Sequence, residues 1–147
     1  MFLISYSESE TIEFARKLGS FLKGNDLILL KGDLAAGKTA FTKGLALGLK
    51  IKDIINSPTF VIHKSYEGRL RLEHIDAYRL LDNDYDLGLN ELRDSESVLV
   101  IEWYEYLKEL DIKDYLLIDF IYLDENTRKL VLTSDNDEYL KIVKELL

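Results

Sequence analysis

The sequence predicts an α/β fold, a three-layer sandwich around a central sheet with both parallel and antiparallel strands. Three observations carry this reading. The apolar run Asp26-Leu-Ile-Leu-Leu-Lys31 reads as a buried strand, and a Gly-containing loop and a helical stretch follow it directly. Strand and helix periods alternate early in the chain. Later, paired strand-like runs flank turn signals, as hairpins do.

In order, Phe2 to Ser5 reads as a short strand. Ser7-Glu-Ser-Glu10 is a capping-box pattern, and Ile12, Ala15, Leu18 and Leu22 then recur at helical spacing until Gly24-Asn25. After the strand Asp26–Lys31, a second helix covers Lys38 to Leu49. Phe60–Tyr66 and Leu70–Asp76 read as strands joined at Glu67-Gly68. Asp84 to Arg93 reads as a short helix and Val98-Leu-Val-Ile101 as a buried strand. Tyr115–Leu123 and Arg128–Thr133 flank Asp124-Glu-Asn-Thr127, and a last helix runs from Asp137 to Leu147.

Composition bounds the rest. The chain has 147 residues, 47% hydrophobic and 31% charged, with a single proline, Pro58, and no linker-like tract; one domain over 1–147 is expected. The net charge of −8 argues against a broad nucleic-acid surface, which needs concentrated Lys and Arg. No cysteine is present, which excludes disulfides, thiolate metal sites and a cysteine nucleophile. Two histidines, His63 and His74, argue against a multi-histidine metal site. The opening Met1-Phe-Leu-Ile-Ser-Tyr6 lacks a basic region and a long apolar stretch, and no run is long enough to span a membrane, so the expected compartment is the cytoplasm.

Gly32-Asp-Leu-Ala-Ala-Gly37-Lys38-Thr39 matches G-x-x-x-x-G-K-[ST] in full, between strand and helix, and makes the expected fold P-loop NTPase-like. Backbone N–H groups of Gly32, Asp33, Leu34, Ala35, Ala36 and Gly37, with the helix start from Lys38 to Ala40, would cradle phosphates. Lys38 adds a charge near the β- and γ-phosphates, and the Thr39 hydroxyl is placed to ligate Mg²⁺. Glu102 ends the strand Val98–Ile101, where an acid can hold Mg²⁺ or its water. His74 and Asp76 stand two apart and share a strand face. Asp76 could orient an attacking water; His74 alone reads as a packed, hydrogen-bonded histidine. Ser57-Pro58-Thr59 is a strand-entry turn, in the region where a γ-phosphate-sensing switch would lie.

Absences narrow the class. No Asn is followed by Lys, and no Asp stands three residues before a glycine, so the guanine-reading and switch motifs of GTPases are missing. The arginines, Arg16, Arg69, Arg71, Arg79, Arg93 and Arg128, do not group as a kinase lid. Arg128 could reach nucleotide but reads as solvated.

Taken together, Gly32–Thr39, Ser57-Pro-Thr-Phe60, His74-Ile-Asp-Ala-Tyr-Arg-Leu80 and Ile101-Glu-Trp103 resemble the TsaE (YjeE) family of small bacterial P-loop ATPases of tRNA threonylcarbamoyladenosine (t6A) synthesis. The resemblance spans nearly the whole chain. It implies slow ATP hydrolysis with Mg²⁺, partnership with the TsaD and TsaB proteins, and only indirect contact with tRNA, with no membrane or DNA target. It implies that Lys38, Asp76 and Glu102 are catalytic and that Thr39 and Glu102 hold the metal. It also implies that Thr59 is a switch-like hydroxyl, that Trp103 stands beside the acid, and that Glu8 to Thr11 and Arg128 lie near the nucleotide. The sequence departs from the family pattern at Ala35, where glycine is usual, and at Tyr104, where proline usually follows Glu-Trp. If position 35 needs a positive φ, Ala35→Gly tightens nucleotide binding. A small-molecule kinase and a nucleotide switch without hydrolysis remain the alternatives. Tyr66, Tyr78, Tyr85, Tyr104 and Tyr106 are candidate contact aromatics.

Overall fold

The computed structural model describes residues 1–33, 36–56, 63–78, 88–107 and 112–147. These form a seven-stranded sheet in the order β1-β7-β6-β2-β5-β4-β3. The strands are β1 (Phe2–Ser5), β2 (Asp26–Lys31), β3 (His63–Tyr66), β4 (Arg71–Asp76), β5 (Ser97–Glu102), β6 (Tyr115–Tyr122) and β7 (Arg128–Ser134). The helices are α1 (Glu8–Phe21), α2 (Lys38–Gly48), α3 (Leu89–Leu92) and α4 (Asp137–Leu146). The central strands β6, β2, β5 and β4 run parallel; β3 and β7 flank them antiparallel, and β1 pairs antiparallel with β7 at the edge. The mixed α/β sandwich predicted from the sequence is therefore observed.

Local chemistry explains the elements. Ser7 caps α1, its side chain accepting from the Glu10 N–H at 3.1 Å, while Glu10 reaches back to the Tyr6 N–H at 2.8 Å. Asn136 caps α4 in the same manner, accepting from Glu138 N–H at 2.9 Å. β2 and β5 are buried on both faces, which accounts for their unbroken apolar runs. On one face α1, α2 and α4 enclose the larger core around Phe41, Leu18 and Leu45. On the other, α3 and a single 3-10 turn at Tyr104–Tyr106 cover a thinner core of Leu27, Leu29, Leu99 and Ile101.

Boundaries moved slightly. α1 stops at Phe21, before Gly24-Asn25, because Leu22 turns extended. Within the expected 84–93 helix, residues 88–93 are described, and only Leu89–Leu92 is helical, since Arg93 leaves at φ −85, ψ 100. Among the described residues no helix is long and apolar enough to cross a membrane.

Candidate functional site

The site is built where β2 and β5 end. After Lys31 the chain turns at Gly32, whose φ of +142 and tight packing exclude a side chain: a Cβ would stand 2.8 Å from the Phe120 carbonyl oxygen. Ala36 N–H closes the loop onto the Asp33 carbonyl at 3.0 Å. Gly37 starts α2 at φ +101, a conformation L side chains avoid, although the space beside it is open. Leu34 and Ala35 lie outside the described residues, as do Ser57, Pro58, Thr59, Arg79 and Tyr85. The Ala35 expectation and the switch-like role of Thr59 thus fall there.

Lys38 opens α2 and is only 4% exposed. Its Nζ stands 3.6 Å from Glu102 Oε1 and 4.7 Å from the centre of the Trp103 ring. Glu102 is 5% exposed, and its Oε2 accepts from His74 Nε2 at 2.7 Å. Burial pushes this carboxyl up, but the His74 hydrogen bond and the charge of Lys38 outweigh it, leaving Glu102 below the usual carboxylate range. It is therefore ionised at neutral pH. Strand register places Asp76 beside Glu102 and His74 beside Val100, all on the face that α2 covers. Asp76 Oδ1 accepts from Tyr78 N–H at 3.1 Å. The turn after Glu102 is made by Trp103 itself, at φ +59, with Tyr106 N–H bonded to its carbonyl at 3.1 Å. The left-handed turn at Trp103 thus leads into a 3-10 turn that Tyr104 begins, at the position where the family usually has proline.

A cavity of about 320 Å³ opens over this point, lined by Gly37, Lys38, Thr39 and Ala40 from α2, Ser7, Glu8 and Thr11 from the start of α1, and Glu125, Asn126 and Arg128 from the β6–β7 turn. Its walls are rigid. Thr11 Oγ1 and Ser5 Oγ are 2.7 Å apart, tying α1 to β1. Asp124 accepts from Asn126 and Thr127 N–H, each at 2.9 Å, and these bonds hold its carboxyl below the usual range. Arg128 is not a solvated arginine as its sequence suggested. It donates to the Asp124 and Thr127 carbonyls at 2.5 and 3.1 Å and stacks 4.6 Å from the Tyr122 ring, because the hairpin folds it back over its own turn.

The structure thus brings Glu8, Thr11, Gly37, Lys38, Thr39, Ala40 and Arg128 to one cavity; Glu102 lies behind Lys38, bonded to His74 and register-paired with Asp76, without lining it. Gly32, Asp33 and Trp103 instead line a second cleft, with Lys31, Glu105 and Asp119, on the other side of the loop. Ala36 is buried in the core. Ser7, Glu125 and Asn126 were missed: Ser7 read only as a helix cap, and the other two only as a hairpin turn. Tyr66 is buried and cannot serve as a contact aromatic, whereas Tyr78, Trp103 and Tyr106 form an exposed-edge cluster with ring centres 5.3 to 6.0 Å apart. Arg69 donates to the Leu22 and Gly19 carbonyls and Arg71 to Glu73 and Asp94, so both are structural.

The chemistry of the donor set fits a magnesium nucleotide. Thr39 and Glu102 offer a hydroxyl and a carboxylate, the hard oxygen ligands that Mg²⁺ takes. No cluster of three or more His, Cys, Asp or Glu that could hold a metal occurs among the described residues. That agrees with an ion bound by one or two protein oxygens and by phosphates rather than by a protein cage.

Comparison with known proteins is consistent across sequence and structure. The family model described as threonylcarbamoyl adenosine biosynthesis protein TsaE matches residues 5–130. A Bacillus subtilis protein named tRNA threonylcarbamoyladenosine biosynthesis protein TsaE is 40% identical over 138 residues, covering 93% of this chain and 87% of the relative. A Treponema pallidum protein of the same name is 45% identical over 104 residues, or 69% and 77% of the two chains. The crystal structure of Bacillus subtilis YdiB superposes with a TM-score of 0.82 at 32% identity, covering 99% of this chain and 93% of that one.

Proposed function

This chain belongs to the TsaE family, and on that premise we propose that it binds ATP with Mg²⁺, hydrolyses it slowly, and serves tRNA t6A modification by acting on a TsaD–TsaB complex. One observation carries the nucleotide reading: Lys38, at the head of α2 behind a phosphate-type loop, is paired with Glu102 at the end of the neighbouring strand, under a cavity of nucleotide-binding size. Lys38 supplies charge to the β- and γ-phosphates, and the N–H groups at the start of α2 supply hydrogen bonds. Thr39 and Glu102 hold Mg²⁺, which when bound neutralises phosphate charge in the transition state. Asp76, beside Glu102, accepts a hydrogen bond from the attacking water. Glu8, Thr11 and Arg128 line the part of the cavity left for the nucleoside.

Slow basal turnover follows from what faces the cavity. Arg128 is the arginine lining it among the described residues, and its guanidinium is engaged by its own turn. Transition-state charge is then left for a partner to offset. The acidic surface suits a protein partner rather than tRNA directly.

The test is Mg²⁺-dependent ATP hydrolysis with and without the TsaD–TsaB pair, with Lys38→Ala as control. Feeble turnover that the pair alters and the control abolishes is expected. Hydrolysis indifferent to the pair would remove the t6A role, and phosphorylation of a small acceptor would replace this reading with a kinase.

A further inference from the structure

His74 is fully buried, at 0% exposure, on the helix-covered face of β4. Leu72 on its own strand and Val100 across the register are apolar, while Lys64 of β3 stands opposite it and Asp76 and Glu102 share its face. A leucine there would leave no buried polar atom. The imidazole instead leaves Nδ1 buried with no hydrogen-bond partner among the described residues, an arrangement that costs stability. What it gains is a single bond: Nε2 donates to Glu102 Oε2 at 2.7 Å. Glu102 is a long side chain at the last position of β5, followed by a left-handed turn at Trp103. Nothing in its own backbone fixes which carboxylate oxygen faces the loop. The His74 bond does: with Oε2 held, Oε1 is the oxygen turned to Lys38, 3.6 Å away.

We infer that His74 is a positioning residue for the metal site, holding Glu102 by Oε2 so that Oε1 is presented to a nucleotide-bound Mg²⁺. It touches neither nucleotide nor metal. The inference rests on the magnesium-nucleotide reading above and assigns a role to a residue that reading does not use. Hydrogen bonds behind a metal ligand commonly set metal affinity by 10- to 100-fold when removed. The His74 bond is the counterpart here, on a ligand with few fellow ligands to hold the ion in its place.

The experiment is calorimetric binding of ADP to the full chain across a MgCl₂ titration and in EDTA, for the natural protein, His74→Leu, His74→Gln and His74→Asn. A glutamine amide nitrogen falls near the imidazole Nε2; an asparagine amide ends short of it. In His74→Leu and His74→Asn the Mg²⁺ concentration that half-maximally tightens ADP is expected to rise about 10-fold or more. ADP affinity in EDTA stays unchanged, and His74→Gln remains within about 3-fold of the natural protein. A merely structural histidine would move thermal stability but not this Mg²⁺ dependence. If His74→Leu does not fold, the glutamine–asparagine contrast decides alone. Unchanged Mg²⁺ dependence in folded His74→Leu and His74→Asn overturns the inference, as does a glutamine variant as weak as the other two. Failure of the natural chain to bind ADP with Mg²⁺ overturns the nucleotide reading and this inference with it.

Discussion

The cavity is flanked by the starts of α1 and α2, and three glycines set how closely these helices approach. At Gly44 of α2 a Cβ would lie 2.3 Å from the Ile12 carbonyl oxygen and 2.6 Å from the Ala15 Cβ, both on α1. Gly48 meets the Arg16 carbonyl oxygen at 2.3 Å, and Gly19 of α1 meets the Leu45 carbonyl oxygen at 2.7 Å. A carbon needs roughly 3.3 Å from a carbonyl oxygen, so Gly44→Ala must separate the helices locally by about 1 Å. Overpacking of this kind costs about 1–3 kcal/mol. The better helix propensity of alanine returns at most about 1 kcal/mol. Because the clash is with backbone, the overpacking cost lies toward the upper end of its range, and the net loss is about 1–2 kcal/mol, or a fall in Tm of about 2–8 °C for a chain of this size. The displacement also reaches the site, because α1 carries Glu8 and Thr11 while α2 carries Lys38 and Thr39. An ångström of misplacement can cost up to about 100-fold in rate, so ADP binding should weaken and the KM for ATP should rise. Thermal melts and ADP calorimetry of Gly44→Ala beside Lys43→Ala, an exposed neighbour, measure both effects. A Gly44→Ala protein with an equal or higher Tm would show that propensity, not helix contact, governs this position, and would refute the reasoning.

Two further outcomes concern the far end of the sheet, where Tyr139 of α4 donates to Asp26 Oδ1 at 2.8 Å and accepts from Leu27 N–H at 3.3 Å. Tyr139→Phe leaves both groups buried without this partner, so urea denaturation should show a loss of about 1–3 kcal/mol. A neutral Tyr139→Phe would mean that water replaces the hydroxyl there. Asp26 is buried, and desolvation raises its pKa above the usual 3.8, against the opposing hydrogen bonds from Tyr139 and Gly24. A folded pKa above the unfolded one contributes stability that is fully present below the unfolded value and lost as pH rises through the folded value. The stability of Asp26→Asn relative to the natural chain should therefore climb as pH rises above the usual carboxylate range and level off once Asp26 is ionised in the folded chain. A flat difference through that rise, in pH-resolved urea melts, would contradict the burial argument.

How much of this was legible depended on sequence distance. The β2–loop–α2 unit was readable because what specifies it is local: an apolar run, glycines at the positive-φ positions 32 and 37, and Lys38-Thr39 at the helix start. Glu102 was readable for the same reason, as a carboxylate ending a buried strand. The bond between His74 and Glu102 was not, because it depends on β4 and β5 being parallel neighbours in a register that sets Asp76 opposite Glu102. The cavity wall was equally hidden. Glu125 and Asn126 look like any hairpin turn until β6 pairs with β2 and carries that turn to the phosphate loop. Gly44 and Gly48 mark one face of α2 at helical spacing, but their role is set by α1, whose docking no local pattern specifies. Arg128 was misread because its ring partner and carbonyl acceptors are supplied by the turn geometry rather than by its neighbours in composition.

The same register gives the site its electrostatic logic. A lysine at 4% exposure would be an uncompensated buried charge if it waited alone for phosphate, and that is among the costliest arrangements a protein can hold. Lys38 has Glu102 on one side and the face of Trp103 on another, so its charge is balanced within the chain itself. On the proposed reading, phosphate entering the cavity would exchange one anionic partner of Lys38 for another. The carboxylate released in that exchange would be the one placed to take up the accompanying divalent cation, with its Oε2 still bonded to His74. Such an exchange would couple phosphate and metal binding through one side chain, because β5 ends in a glutamate one strand away from the loop that carries the lysine.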